Sequence, residues 1–239
     1  MLVKTKGIPL KITNYSESSV VAQIYTAEFG LQSYMINGAR KPKAKIPINM
    51  LQPFHLLDLL VYQKENASIQ RIKEAHQYPV LSSIPLNIVK SSLALFINEV
   101  LYKVLKHQHP DPQLYHFLES SIIWLDESQE GLANYHLIFL LKLSNFLGFK
   151  PHADPFPYFD LQEGRFTKNL PNHLHVIQEP YSGYLRNLLS SNFSDSNQIK
   201  LNKVDRTYLL QKVIDYYKLH TDNFSDINSL YILEEIFGN

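Results

Sequence analysis

At 239 residues the chain is long enough to bury one large core or two modest ones, and 45% hydrophobic with 19% charged residues excludes wholesale disorder. The absence of cysteine excludes disulfides, thiolate metal ligands and a cysteine nucleophile, and fits a reducing cytosol. The net charge of +1 conceals a polarity: residues 1–50 carry seven basic and two acidic groups, residues 51–80 three of each, and the remaining 159 residues 13 basic and 17 acidic. A small basic unit on an acidic body points to a polyanion held at one end.

Met1 to Leu10, with Lys4 and Lys6 and no long apolar run, does not read as a signal peptide, and no stretch reaches the roughly 18 uncharged apolar residues of a membrane span. Residues 2–12 read as a strand interrupted by Gly7 and Pro9, hence bent or at an edge. Residues 19–26 alternate, Val20, Ala22 and Ile24 against Val21, Gln23 and Tyr25, and are rich in β-branched and aromatic types. Glu28-Phe29-Gly30 supplies a turn, and residues 31–37 return as the partner strand. Residues 54–62 and 69–75 form a second hairpin about Glu65-Asn66-Ala67. Five short strands of this kind suit a small closed barrel. An OB-fold is the natural candidate, and an SH3-like barrel fits the pattern nearly as well.

From residue 84 the period becomes helical. Ser82, Ser83 and Pro85 open a helix in which Leu93, Phe96, Ile97, Val100, Leu101, Val104 and Leu105 recur until His109-Pro110 stops it. A second helix is expected from 112 to about 126, with Leu114, Phe117, Leu118, Ile122 and Leu125 inward. A third, 134–147, is apolar nearly all round and so central, and Gly148 ends it. Residues 151–180 carry Pro151, Pro155, Pro157, Pro171 and Pro180 and read as an irregular insertion with one small hairpin at most. Helix returns over 183–189, 203–220 and 226–237. The fold class expected is α+β: a five-stranded barrel over residues 1–80, then an all-helical domain over 81–239 interrupted by the Pro-rich insertion.

The sharpest local feature is Gly38-Ala39-Arg40-Lys41-Pro42-Lys43-Ala44-Lys45, with four cations in six residues directly after a strand. A flexible loop of this type suits phosphate contact, where charge and reach matter and base identity does not. Lys4, Lys6 and Lys11 lie on the first strand, so one barrel can present both clusters to one nucleic-acid strand. Tyr15, Tyr25 and Tyr34 are available for base stacking, although two of the three are expected to be core or cross-strand residues.

Ten histidines raise the question of a metal. His107-Gln108-His109 and His173-Leu174-His175 alternate, His116, His136, His152 and His220 are isolated, and none joins an HExxH pattern or a carboxylate cluster. Surface or core histidines are expected, with no metal and no cofactor. There is no GxSxG, no phosphate-cradling glycine loop and no kinase set among only eight glycines. Asp126-Glu127 and Glu234-Glu235 read as helix-end or surface pairs, so no catalytic residues are assigned.

In order and spacing these pieces resemble the RecO family of recombination mediators over nearly the whole chain. The resemblance rests on Thr5-Lys6-Gly7-Ile8-Pro9-Leu10, Tyr15-Ser16-Glu17, Phe29-Gly30, Gly38-Ala39-Arg40-Lys41 and Leu51-Gln52-Pro53 in the first half. In the second half it rests on Phe139 to Leu143, Leu147-Gly148-Phe149-Lys150-Pro151, Tyr216 to His220, Ser229-Leu230 and Leu233. It implies an OB-fold and a helical domain in a cytosolic, nucleoid-associated DNA repair protein. Such a protein binds single- and double-stranded DNA, anneals complementary strands and assists recombinase loading, with RecR and the C-terminal tail of single-stranded-DNA-binding protein as partners. By position it implies DNA contacts at Lys6, Lys11, Arg40, Lys41, Lys43 and Lys45, and tail contacts at Lys142 and Lys150. Many such proteins place four zinc-binding cysteines just after the Gly-Phe-x-Pro turn. Here Asp154-Pro155-Phe156-Pro157-Tyr158-Phe159-Asp160 stands there, so the insertion is expected to be zinc-free and held by Phe156, Tyr158, Phe159 and Phe166. Two other readings stay open: a protein-interaction scaffold that does not touch DNA, and a metal-dependent hydrolase or nuclease whose site no motif reveals.

Overall fold

The computed structural model describes residues 1–106, 108–222 and 224–237, without the side chain of residue 234. It divides into two compact units, Met1–Asp126 and Glu127–Asn239.

The first unit opens with a closed barrel of β1 (Leu2–Asn14), β2 (Val20–Thr26), β3 (Gly30–Ile36), β4 (Leu57–Tyr62) and β5 (Gln70–Gln77) in the order β1-β2-β3-β5-β4. Closure comes from the single parallel pairing, Tyr34 opposite Gln70 and Met35 opposite Arg71, and this topology is that of the OB-fold. The long first strand serves both sides of the barrel. Its beginning pairs with β4, its end with β2, and Gly7 faces Leu57 on one side and Thr26 on the other. A Cβ at residue 7 would lie 2.7 Å from Ile24 Cγ2 and 2.8 Å from Leu59 Cδ1, so the bend requires glycine. The strand is therefore bent and not an edge, because closure leaves the barrel without edges. Alternation fills the interior with Val20, Ala22, Ile24, Tyr34, Ile36, Leu57, Leu59 and Val61, each such side chain contributing about 1.5–3 kcal/mol where it is large and fully buried.

Two helices complete this unit. α1 (Ile88–Val104) begins four residues later than expected, because Asn87 caps it by accepting from the Val89 and Lys90 amides. The serines before it serve a different purpose. Asp126 accepts from the backbone N–H groups of Ser82, Ser83 and Ile84 at 2.9, 2.8 and 2.7 Å, and Lys90 donates to Ser83 Oγ and the Asp126 carbonyl, both at 2.7 Å. α2 (Pro112–Glu127) is capped by Asp111 and has proline at its first position. Tyr25 points out of the barrel yet is fully buried, stacked on Tyr115 of α2 with centroids 6.3 Å apart.

In the second unit α3 (Leu132–Phe146) is buried nearly all round, as its composition predicts. Tyr217 of α5 (Lys203–His220) donates to the Leu140 carbonyl at 2.7 Å, and Asn134 donates to the carbonyls of Ser196 and Ile199 in a 3-10 segment, Phe193–Gln198, and just past it. α4 (Tyr181–Ser190) starts two residues earlier than expected, and α6 (Leu230–Ile236) is shorter than the 226–237 expected.

The insertion is more ordered than its prolines suggest. β6 (Tyr158–Asp160), β7 (Arg165–Thr167) and β8 (Val176–Ile177) form an antiparallel sheet in the order β7-β6-β8, where one hairpin at most was expected. Strands of two or three residues are too short to establish a period. Their core is Phe159, Leu161, Phe166 and Ile177. Phe159 packs edge-to-face on Phe166 at 4.9 Å and on Tyr216 at 5.8 Å, Tyr158 is half-buried, and Phe156 lies exposed.

Candidate nucleic-acid interface

The basic loop is a built structure. Ala39 and Ile46 are buried in the barrel core and staple its two ends, while Arg40, Lys41, Lys43 and Lys45 between them are exposed. Gly38, at φ 69°, opens a turn closed by the Lys41 N–H on the Gly38 carbonyl. A second follows with the Ala44 N–H on the Lys41 carbonyl, and the Ile48 N–H returns to the Ala39 carbonyl. The loop is also tied to the β1–β2 turn: the Arg40 N–H donates to the Ser18 carbonyl at 3.1 Å and the Gly38 N–H to Ser19 Oγ at 3.4 Å. Among the described residues none of the four cations has a carboxylate within ion-pairing distance. The apolar residues Ala39 and Ile46 bracketing this run are the sequence signal that it is anchored.

The tyrosines divide as expected. Tyr34 lies in the barrel core and Tyr25 under α2, where burial pushes its phenol up to about 12. Tyr15 stands 67% exposed on the turn that holds the loop, with its N–H on the Ser19 carbonyl.

Lys11 is exposed, with Nζ 3.4 Å from Tyr102 Oη and no carboxylate partner among the described residues. Lys6 is in a different situation. Its ammonium donates to Glu119 at 2.7 Å, a bond that raises its pKa, and Asp58 faces it in register. It lines a cavity of about 390 Å³ with Lys4, Glu28, Asp58, Glu74 and His76, where acids outnumber cations. The structure therefore gathers Tyr15 and the four loop cations at one barrel end and leaves Lys6 among acids.

In the second unit Lys142 donates to Asn192 Oδ1 at 3.0 Å. Burial lowers its pKa, Asp195 opposes that, and the Lys150 charge adds to it. Lys150 is exposed just beyond α3.

Of the histidines, His107 lies outside the described residues. His136 is fully buried, and desolvation with the Arg206 charge takes its pKa down to about 3. His173 Nε2 lies 3.3 Å from Asp160 Oδ2, and among the described residues no three His, Asp or Glu side chains group as a metal site. The insertion, with no thiolate and an aromatic core, does not fit the four-cysteine zinc site of the kind many such proteins place there. Among the described residues no helix is long and apolar enough to cross a membrane.

Comparison with known proteins divides the chain at the end of the barrel, before α1, and not after Asp126 where the compact units part. Residues 1–78 match the family described as recombination protein O N terminal, and residues 85–225 match recombination protein O C terminal. Proteins named DNA repair protein RecO are similar throughout. Those of Bacteroides fragilis and Azobacteroides pseudotrichonymphae are each 34% identical, and that of Flavobacterium johnsoniae is 32% identical. The matches cover 99%, 99% and 100% of this chain and all of each relative. With both halves matched in order and full-length relatives at this identity, the chain belongs to the RecO family.

Proposed function

We propose that this chain is a DNA repair and homologous recombination mediator that binds single- and double-stranded DNA through the basic end of its barrel. It anneals complementary strands and assists recombinase loading onto strands coated by single-stranded-DNA-binding protein. The observation that carries this reading is the stapled loop of Arg40, Lys41, Lys43 and Lys45, four exposed cations without a carboxylate partner among the described residues, tied to the turn that carries the exposed Tyr15. Such a surface neutralises phosphates and releases their counter-ions, which lets two strands approach without any catalytic step. Residues 1–80 then carry the main nucleic-acid surface and 81–239 the helical domain that meets proteins, in the bacterial cytoplasm. RecR and the C-terminal tail of single-stranded-DNA-binding protein are the partners proposed, the tail at Lys142 and Lys150, where a partly desolvated ammonium and a second cation favour an acidic chain end.

Fluorescence anisotropy of a labelled single-stranded oligonucleotide, without metal, tests this. Four phosphates neutralised by the loop alone give a slope of log K against log salt near −2.8 for single strands, so affinity should fall at least about 50-fold between about 50 and 200 mM salt. Absence of binding at low salt, or affinity nearly independent of salt, refutes the reading.

A further inference from the structure

A second group of cations stands where β1 meets α1. The β1–β2 register slips between Pro9 and Lys11, leaving Leu10 as the bulged residue, and Asn98 of α1 takes the Leu10 carbonyl at 2.8 Å. This bond fixes α1 against the strand next to Lys11. Asn98 and Tyr102, four residues apart, share one side of α1, and Lys106 lies two residues past its end. Lys11 Nζ lies 4.8 Å from the centroid of the Tyr102 ring and 3.4 Å from its hydroxyl, and Lys106 Nζ lies 4.8 Å from the same centroid. The two ammonium groups are thus at most about 9.6 Å apart, comparable with the screening length of physiological salt. Among the described residues neither has a carboxylate within 4.0 Å. Glu99, one turn before Lys103, is within 3.6 Å of it.

Two like charges drawn to one ring, with no acid between them, are stabilised by an anion that touches both. A backbone phosphate does this, with the ring holding the two ammonium groups in place. Lys11 and Thr13 are exposed on one side of β1, roughly 6.6 Å apart, and exposed Tyr15 follows just past the strand on the turn that holds the basic loop. We infer that Lys11, Tyr102 and Lys106 form a second phosphate-contact site, which carries a bound strand from the loop along β1 and onto α1. This rests on the nucleic-acid reading above and adds a contact on the first helix that the loop alone does not provide.

The test is the same anisotropy titration of the full chain, run on Lys106→Ala, Lys11→Ala, Tyr102→Phe, Tyr102→Leu and a loop variant with Arg40, Lys41, Lys43 and Lys45 all changed to Ala. Lys106→Ala and Lys11→Ala should each weaken binding several-fold at low salt and make the salt slope shallower by about 0.7, the loss of one phosphate on a single strand. Tyr102→Phe keeps the ring and should stay within twofold of the parent, while Tyr102→Leu should fall with the lysine variants. Lys106 is exposed, so its removal leaves the thermal midpoint in place and carries the test if the Lys11 or Tyr102 variants fold poorly. If Lys106→Ala matches the parent in affinity and slope while the loop variant loses binding, this second site is refuted and the loop reading stands. If the loop variant also binds like the parent, both are refuted.

Discussion

The carboxylate of Asp126, at the end of α2, accepts the Ile84 backbone N–H at 2.7 Å, and so holds down the segment that leads from the barrel into α1. Burial pushes its pKa up, but the Ile84, Ser82 and Ser83 N–H donors and the Lys90 charge outweigh that and hold it below the ordinary value. A depressed folded-state pKa means that the charged carboxylate stabilises the fold above the ordinary value of ~3.9, and that this contribution is lost as pH falls through the folded pKa. Asp126→Ala, which leaves three amides without their acceptor, should cost about 3 kcal/mol in urea unfolding at pH 7. Asp126→Asn should cost less, and its deficit relative to the parent should shrink as pH is lowered to about 3. A deficit that stays constant with pH would show that the charge contributes nothing.

Lys6 is neutralised within the protein by Glu119 at 2.7 Å, with Asp58 opposite, whereas the loop cations are free of such partners among the described residues. Lys6→Ala should therefore change oligonucleotide affinity by less than about twofold and leave the salt slope unchanged, although one phosphate contact is worth about 0.7 in that slope. Its cost in stability should be about 0.5 kcal/mol, since the Lys6 side chain is 47% exposed. A slope made shallower by about 0.7 would return Lys6 to the contact set.

Tyr15 is the exposed member of the three barrel tyrosines considered for stacking. Tyr15→Ala should weaken single-strand binding by about 1–3 kcal/mol, the usual worth of one stacked base, while stability moves by no more than about 0.5 kcal/mol. Tyr15→Phe should bind like the parent. Equal losses for the two variants would point to the hydroxyl and not to stacking.

The barrel was legible because its strands carry a strong period of two, and Val20, Ala22 and Ile24 went inward as their alternation required. What alternation alone did not resolve was the fate of Tyr25, which is on the outward side of its strand yet lies under Tyr115 of a helix more than 80 residues away in sequence. α5 matched its expected bounds, Lys203–His220, because Asn202 and Asp205 form a capping box around its first turn. The sequence starts α1 too early because Ser82 and Ser83 resemble caps, and only the tertiary structure shows that their amides belong to Asp126. At the candidate site the charge run was plain in the sequence. The neutralisation of Lys6 by Glu119 was not, since the two are 113 residues apart and nothing local marks the pair.

The insertion supplies the remaining prediction, because its order comes from side-chain packing without any thiolate. Phe159 is 1% exposed, meets Phe166 at 4.9 Å and Tyr216 at 5.8 Å, and lies on the central strand of the three-stranded sheet. Tyr216 is itself fixed by donating to the Phe149 carbonyl at 2.6 Å, so the sheet, the end of α3 and α5 share one aromatic cluster. Removing the ring should leave a cavity that rigid neighbours cannot fill, and Phe159→Ala should cost about 3–5 kcal/mol in urea unfolding. Phe159→Leu, which keeps most of the volume, should cost less than half of that. Saturating chelator should leave the unfolding midpoint of the parent unchanged, because a fold that depends on bound metal is destabilised when the metal is removed. A midpoint that drops on chelation would mean that a metal, and not the Phe159 cluster, orders this segment.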